Sequence, residues 1–326
     1  MVIDYILYLR DERKITNRSI KVHLSAILRF FQKNNDDFNL RITNFDIHLP
    51  PDESTNEDRP YTIEEIAQIL HGQSADLRSK MIILLLCSTG MRIGALHSLQ
   101  YCDLTPLTWN NNNNQLYKIQ VYARTRDKYY TFCTPECYNA IEDYLNYRRR
   151  YGEKIIDKSP LIREQFNVEN PFTINSPKSV SEKGIEYLID NLLHKSGVRK
   201  PKEVHMSHGF RKFFMTQCES SPMKSVHVDM LIGHDIGVKK HYYIPKEPVV
   251  LQDYMTHAAD LLTIDPTKKL EKENQDLKIE QTQRITRLEA RLNETERLLD
   301  TWRKAADDNI QLSLGKYCNK DGKWVY

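Results

Sequence analysis

Residues 207–243 read SHGFRKFFMTQCESSPMKSVHVDMLIGHDIGVKKHYY. The stretch opens on a His-x-x-Arg pair (His208, Arg211), passes through Gly233-His234, and ends on Tyr242 and Tyr243. Tyr243 stands nine residues beyond His234. On a helix, side chains three apart share a face, so His208 and Arg211 point the same way. That pair alone is weak, because 11 His and 21 Arg in 326 residues give about 0.7 such pairs by chance. Taken singly, His234 reads more readily as a structural histidine, and Tyr242 and Tyr243 as core aromatics. Upstream, STGMRIGAL (88–96) sets Arg92 between a turn glycine and a short helix. The order of the whole set carries the argument that no single member carries.

Two arginines, two histidines and a terminal tyrosine suffice to attack a phosphodiester with a side chain. The reaction needs a nucleophile, donors for the charge that builds on the non-bridging oxygens, and an acid for the departing sugar oxygen. Arginine suits the second task because its rigid fork donates two hydrogen bonds to one phosphate and stays protonated. A phenolate suits the first. It is also a fair leaving group, so a phosphotyrosine link keeps the bond energy for rejoining. Such chemistry calls for no cofactor, no ATP and no metal ion.

With 40% apolar residues, the length suits two domains and an appendage. The longest apolar run, Met81–Cys87, is far short of the roughly 20 residues of a membrane span. The apolar start near Val2–Leu9 is short, interrupted by Asp4, and lacks the marks of a signal peptide. Six cysteines without disulfide or zinc spacing fit a reducing cytoplasm; Cys133 and Cys137 have no second pair beside them. A net charge of +3 does not announce nucleic acid, but basic residues cluster at 124–128, 148–150 and 195–202. Local patches of this kind bind phosphate, and solvated helix faces account for about half of them.

The organisation follows from periodicity and punctuation. Residues 2–35 predict two amphipathic helices broken near Thr16-Asn17. Residues 47–60, proline-rich and acidic, read as a linker. Thr62 and Glu65 form a capping box that starts a helix through Leu70. A central helix is expected over 75–87, ended by Gly90. Alternation over 115–123 and 128–133 predicts a β-hairpin with Arg124–Asp127 at its tip, preceded by the polar loop 110–114. Thr134-Pro135 opens a helix toward Tyr151, and another helix is expected from near Ser179 to Gly197. Ile285, Leu288, Leu292, Leu299 and Trp302 recur at coiled-coil spacing, with Leu270 and Leu277 one register out. A single helix docked on its own body is the alternative. The tail, with Asp321-Gly322, reads as a small hairpin.

This ordered set resembles the tyrosine recombinase (integrase) family over about residues 62–262, and LIGHDIGVKKHYY (231–243) is similar to its archaeal integrase-like branch. The resemblance implies a mainly α fold with a small β-sheet. It implies a helical core-binding domain (1–46), a linker (47–60) and a catalytic domain (61–265), followed by a coiled-coil helix (266–306) and a tail (307–326). It implies a site-specific recombinase that closes around double-stranded DNA and works as a tetramer on paired sites. No membrane is involved, and the setting is cytoplasmic and nucleoid-associated, in a prokaryote or mobile element. By the same resemblance Arg92 and Arg211 hold the scissile phosphate, His208 assists proton transfer, and His234 hydrogen-bonds a phosphate oxygen. Tyr243 attacks to leave a 3′-phosphotyrosine and a 5′-hydroxyl, with Tyr242 as its neighbouring substitute.

The chain departs from the family at three points. Arg124 stands where the hairpin lysine is expected, which makes Lys128 the better general acid, because arginine gives up its proton too reluctantly. Residues 1–46 are short for a core-binding domain, and the carboxyl-terminal helix is not a family requirement. A DNA-binding protein of the same fold with little catalysis, a type IB topoisomerase-like enzyme, and a coiled-coil scaffold are the competing readings.

Overall fold

The structure is a computed structural model that describes residues 2–34, 45–51, 58–72, 75–109, 114–201, 203–238 and 242–317. The expected tail turn at Asp321-Gly322 and most of the expected loop 110–114 lie outside these residues.

The centre of the body is helix α4 (Leu77–Thr89), ten of whose thirteen residues are buried. A helix apolar on all sides has to be surrounded, and α4 packs against helices to be defined below at 135–150, 182–195 and 208–219. Asp76 caps its start by accepting the Ser79 N–H at 2.7 Å, and Gly90 ends it in the left-handed conformation at φ 59°. Before it, α3 (Ile63–His71) begins at the expected capping box, with Thr62 and Glu65 satisfying each other's N–H groups. Arg59 grips Glu65 at 2.8 Å and holds its carboxyl down at about 2. After α4, the short α5 (Ile93–Leu96) leads into a three-stranded antiparallel sheet: β1 (Leu104–Trp109), β2 (Asn114–Val121) and β3 (Tyr129–Phe132). Alternation on β2 buries Tyr117, Ile119 and Val121, and Val121 pairs with Tyr129.

Strand β1 was not expected. It contains Pro106, which cannot donate to a ladder and is tolerated here because β1 is an edge strand paired through β2 alone. Helix α6 (Pro135–Arg150) starts as predicted, with Thr134 accepting the Cys137 N–H at 3.3 Å and Pro135 in the first turn. After α7 (Pro171–Asn175), helix α8 (Glu182–Lys195) begins two residues later than Ser179 suggests. Ser181 is the cap, while Ser179 is bridged to Arg163 and its hydroxyl donates to the His97 carbonyl. Helices α9 (His208–Glu219), α10 (Ser225–Leu231) and α11 (Glu247–Asp253) follow, and α11 runs into a π-turn at Tyr254–Ala258.

The amino-terminal helices α1 (Val2–Leu7) and α2 (Asn17–Lys33) have a small core of their own, made by Ile6, Leu9, Ile20 and Leu24. Asn17 donates to the Pro50 carbonyl at 2.7 Å, and Arg10 to that of His48 at 3.2 Å, so the segment of His48 and Pro50 lies on these helices. At its other end Arg59 donates its N–H to the Glu203 carbonyl of the body.

Two of the basic clusters are largely spent on structure rather than left for phosphate. Arg148 is fully buried on Glu153, which also accepts Arg163, and Arg149 pairs with Glu142. In the third cluster Arg199 pairs with Asp190 and Lys200 with Glu65. The carboxyl-terminal helix α12 (Pro266–Tyr317) is unbroken through the shift in register. Its stripe of Ile285, Leu288, Leu292, Leu299 and Trp302 is 55–75% exposed, so the body does not cover it. The base of α12 is fixed: Glu136 accepts the N–H groups of Ile264 and Asp265 at 2.8 and 2.9 Å.

Candidate active site

Gly90 turns the chain from α4 toward α5 with no room to spare. A Cβ there would lie 2.5 Å from the Phe214 ring, in a backbone conformation that L residues avoid. The turn makes Arg92 the residue that precedes α5, with its side chain exposed and unpaired among the described residues. Arg211, one turn into α9, is only 4% exposed. It donates to the Gly90 carbonyl at 2.6 Å and to the Ile232 carbonyl at 3.0 Å. One guanidinium therefore fastens the turn ahead of Arg92 to the turn ahead of His234.

Burial lowers the pKa of Arg211, and the positive charge of Arg92 lowers it further. Neither arginine meets a carboxylate among the described residues. The Tyr129 hydroxyl, on β3, is buried beside both guanidiniums, and Arg211 is near enough to act on it as a weak donor although no hydrogen bond of full geometry forms. Burial raises Tyr129 to about 12 although both arginines pull it down. Gly233, at φ 66°, passes so close that a Cβ would touch the Tyr129 ring at 2.5 Å. Two cations without a carboxylate among the described residues and a buried hydroxyl beside them make a cradle suited to an anion.

His208 is the first residue of α9, and burial, then Lys212, lower its pKa, with a smaller push from Arg211. It is neutral at neutral pH. His234 sets Nδ1 3.3 Å from Asp229 Oδ1, which leaves Nε2 facing outward with no partner among the described residues. In the hairpin, Arg124 is tied down: it meets Asp103 at 3.1 Å and Gln100 at 2.5 Å. Lys128 is exposed and makes no contact of this kind with any described residue.

Tyr242 and Tyr243 are separated by their surroundings. Tyr242 is 86% exposed, whereas the Tyr243 hydroxyl lies 2.7 Å from His227 Nε2 with the two rings stacked. His227 is 1% exposed, and its Nδ1 lies 2.6 Å from Asp253 Oδ2. Burial pushes the Asp253 carboxyl up, but the Lys224 N–H, His227 and His257 together hold it below the usual carboxylate range. Facing an ionised Asp253, the uncharged form of the His227 ring carries its proton on Nδ1, so its Nε2 accepts the phenolic O–H. The structure thus groups Arg92, Arg211 and Tyr129 in one place and Tyr243, His227 and Asp253 in another. No described contact joins Tyr243 to the arginines.

The sequence reading missed Tyr129, His227 and Asp253. A histidine on the apolar face of α10, beside Val228 and Leu231, was a usable signal. Asp253, 26 residues away, follows no pattern that would announce it.

The profile described as the phage integrase family matches residues 59–246, which include every candidate named here except Asp253. The chain belongs to the phage integrase family. Its members, the tyrosine recombinases, cut and transfer DNA strands through a tyrosine. Among solved structures, the Tn1549 transposon integrase in complex with circular intermediate DNA is similar at 17% identity and a TM-score of 0.52, over 78% of this chain and 83% of that one. XerA recombinase is similar at 19% identity and a TM-score of 0.41, over 78% and 81%. At such identities the first likeness speaks for the fold. No curated protein matches the chain. Among the described residues no helix is long and apolar enough to cross a membrane.

Proposed function

We propose that this phage integrase family protein cleaves and rejoins double-stranded DNA at specific sites, with Tyr243 as the nucleophile. The Tyr243 oxygen bonds to phosphorus, the bond to the 5′-oxygen breaks, and the strand is held as a 3′-phosphotyrosine until a 5′-hydroxyl reverses the step. Arg92 and Arg211 donate to the non-bridging oxygens, and the Tyr129 hydroxyl supplies a further hydrogen bond. His208, neutral in the free protein, and His234 through Nε2 contact the same phosphate. Lys128 rather than Arg124 delivers the proton to the leaving oxygen, because Arg124 is committed to Asp103 and Gln100. Residues 1–46 close on the far side of the duplex, and α12 brings protomers together on paired sites, on the DNA of the cell.

The observation that carries this reading is the pair Arg92 and Arg211, neither facing a carboxylate among the described residues, beside the buried Tyr129 hydroxyl. The test is covalent trapping on a nicked suicide duplex, with the adduct mapped by mass spectrometry. Wild type should form an adduct on Tyr243, and Tyr243→Phe should bind DNA without forming one. An adduct that persists in Tyr243→Phe and disappears in Tyr242→Phe would sink the assignment.

A further inference from the structure

We infer that His227 is the general base of the cleavage step: its Nε2 accepts the Tyr243 phenolic proton while Asp253 holds the ring in register. This rests on the reading of Tyr243 as the nucleophile. A phenol of ordinary pKa is only about 0.3% ionised near pH 7.5, so a tyrosine that attacks phosphorus has to lose its proton on the way. The group in contact with that proton is His227, at 2.7 Å and stacked on the same ring. Neither of the other two histidines of the motif set has a described contact with Tyr243: His208 lies in the field of Lys212 and Asp58, and His234 lies on Asp229.

Proton and electrons balance within the named groups. As the Tyr243 oxygen bonds to phosphorus its proton passes to Nε2, and the P–O5′ bond breaks onto the 5′-oxygen, which takes its proton from the separate acid of the hairpin. His227 becomes an imidazolium whose Nδ1–H already points at the Asp253 carboxylate, 2.6 Å away. On rejoining, the same imidazolium returns the proton to the departing phenolate. His227 touches the reacting oxygen and is a catalytic residue; Asp253 acts through it and is a positioning residue.

Several charged and titratable groups surround His227. Asp253 and His257 face it from α11 and the π-turn, and Lys224 stands at the start of its own helix, 5.9 Å from the Tyr243 ring centre. Glu219, at the end of α9, is reached through Ser225 at 2.7 Å, and the packed strand β3 contributes the phenols Tyr129 and Tyr130. The nearest of these, Asp253, favours the protonated ring at the moment the proton arrives. A histidine buried on an apolar helix face has a plain structural use, filling space and satisfying Asp253. The experiment has to tell these apart.

Single-turnover cleavage of a nicked suicide duplex is measured from pH 5.5 to 9.5 for wild type, His227→Gln, Asp253→Asn and Tyr243→Phe, with DNA binding and thermal melts in parallel. The expected wild-type rate rises with pH and levels off above the imidazole range. His227→Gln keeps a hydrogen-bond acceptor but cannot take a proton. It should bind DNA normally and cleave about 10²–10³-fold more slowly at pH 7. Its rate should keep climbing toward the phenol's own ionisation, so that the gap narrows at high pH. A 5′-phosphorothiolate substrate should fail to rescue it, since sulfur relieves only the leaving group. Asp253→Asn should retain part of the rate with a displaced profile. If His227→Gln cleaves within threefold of wild type at every pH, or faster, the inference is overturned and the histidine is a structural dock for the tyrosine. Should His227→Gln fail to melt as a folded protein, Asp253→Asn decides: a native melt with the wild-type rate and profile overturns the inference as well. Persistence of the adduct in Tyr243→Phe is a separate failure, of the nucleophile reading itself, whatever His227 does.

Discussion

Replacing Arg211 and Arg92 by alanine should give unequal losses of stability, although both are assigned to one phosphate. Arg211 is buried and donates to the Gly90 and Ile232 carbonyls, and hydrogen bonds from a charged donor contribute about 1.5–3 kcal/mol each. Truncating it forfeits two such bonds and leaves two carbonyls without their donor, but it also relieves the repulsion from Arg92 and the burial of a charge. A net loss of about 2–4 kcal/mol follows. For a body of this size each kcal/mol lowers Tm by roughly 2–4 °C, so Arg211→Ala should melt about 10 °C below wild type. Arg92 is exposed and unpaired, so Arg92→Ala should stay within about 0.5 kcal/mol. Urea unfolding followed by circular dichroism measures both. Inorganic phosphate should raise the wild-type Tm by mass action and do so far less for Arg92→Ala. Equal destabilisation by the two substitutions, or a phosphate effect indifferent to Arg92, would refute the account of a shared cradle in which only one arginine is also a fastener.

Lys128→Ala should slow suicide-duplex cleavage by about 10²-fold or more and be rescued by a 5′-phosphorothiolate; a larger, rescuable defect in Arg124→Ala instead would reverse the assignment of the acid. His208 should titrate below the ordinary histidine range in the free protein, because burial and Lys212 disfavour its cation. Between the folded and unfolded values the unfolded chain then binds more protons, so stability rises with pH through that window, and NMR titration should show the pKa move upward when a phosphate-bearing duplex binds. Truncation after Asp265 keeps the Glu136 contacts to Ile264 and Asp265, so the body should melt as before and still form the adduct, but sediment as a smaller species; equal masses at micromolar concentration would rule out α12 as an assembly device.

Much of this arrangement was legible because its signals are local. The all-apolar run of α4, the capping box at Thr62, the Thr134-Pro135 start and the His-x-x-Arg spacing each depend on neighbours within one or two turns. What escaped depends on partners far along the chain. Arg148 looks like part of a surface patch until Glu153 and Arg163 close around it, and Arg124 looks free until Asp103, 21 residues back, takes it. Strand β1 was hidden by Pro106 and by an edge position that exposes half of its side chains. The partners of Tyr243 fell between the family motifs: His227 was visible as a polar residue on an apolar face, but its meaning needs the Asp253 carboxylate.

The fixed base of α12 changes how far its end can reach. A flexible tail of 52 residues would explore an end-to-end distance of about 40 Å, growing with the square root of its length. A continuous helix of that length spans about 78 Å and grows in proportion to it. With Glu136 gripping the two residues before the helix, the far end is carried on a lever and not on a tether. Each inserted residue would then advance a partner by about 1.5 Å and turn it by about 100°, so spacing and angular phase between joined protomers are set by residue count.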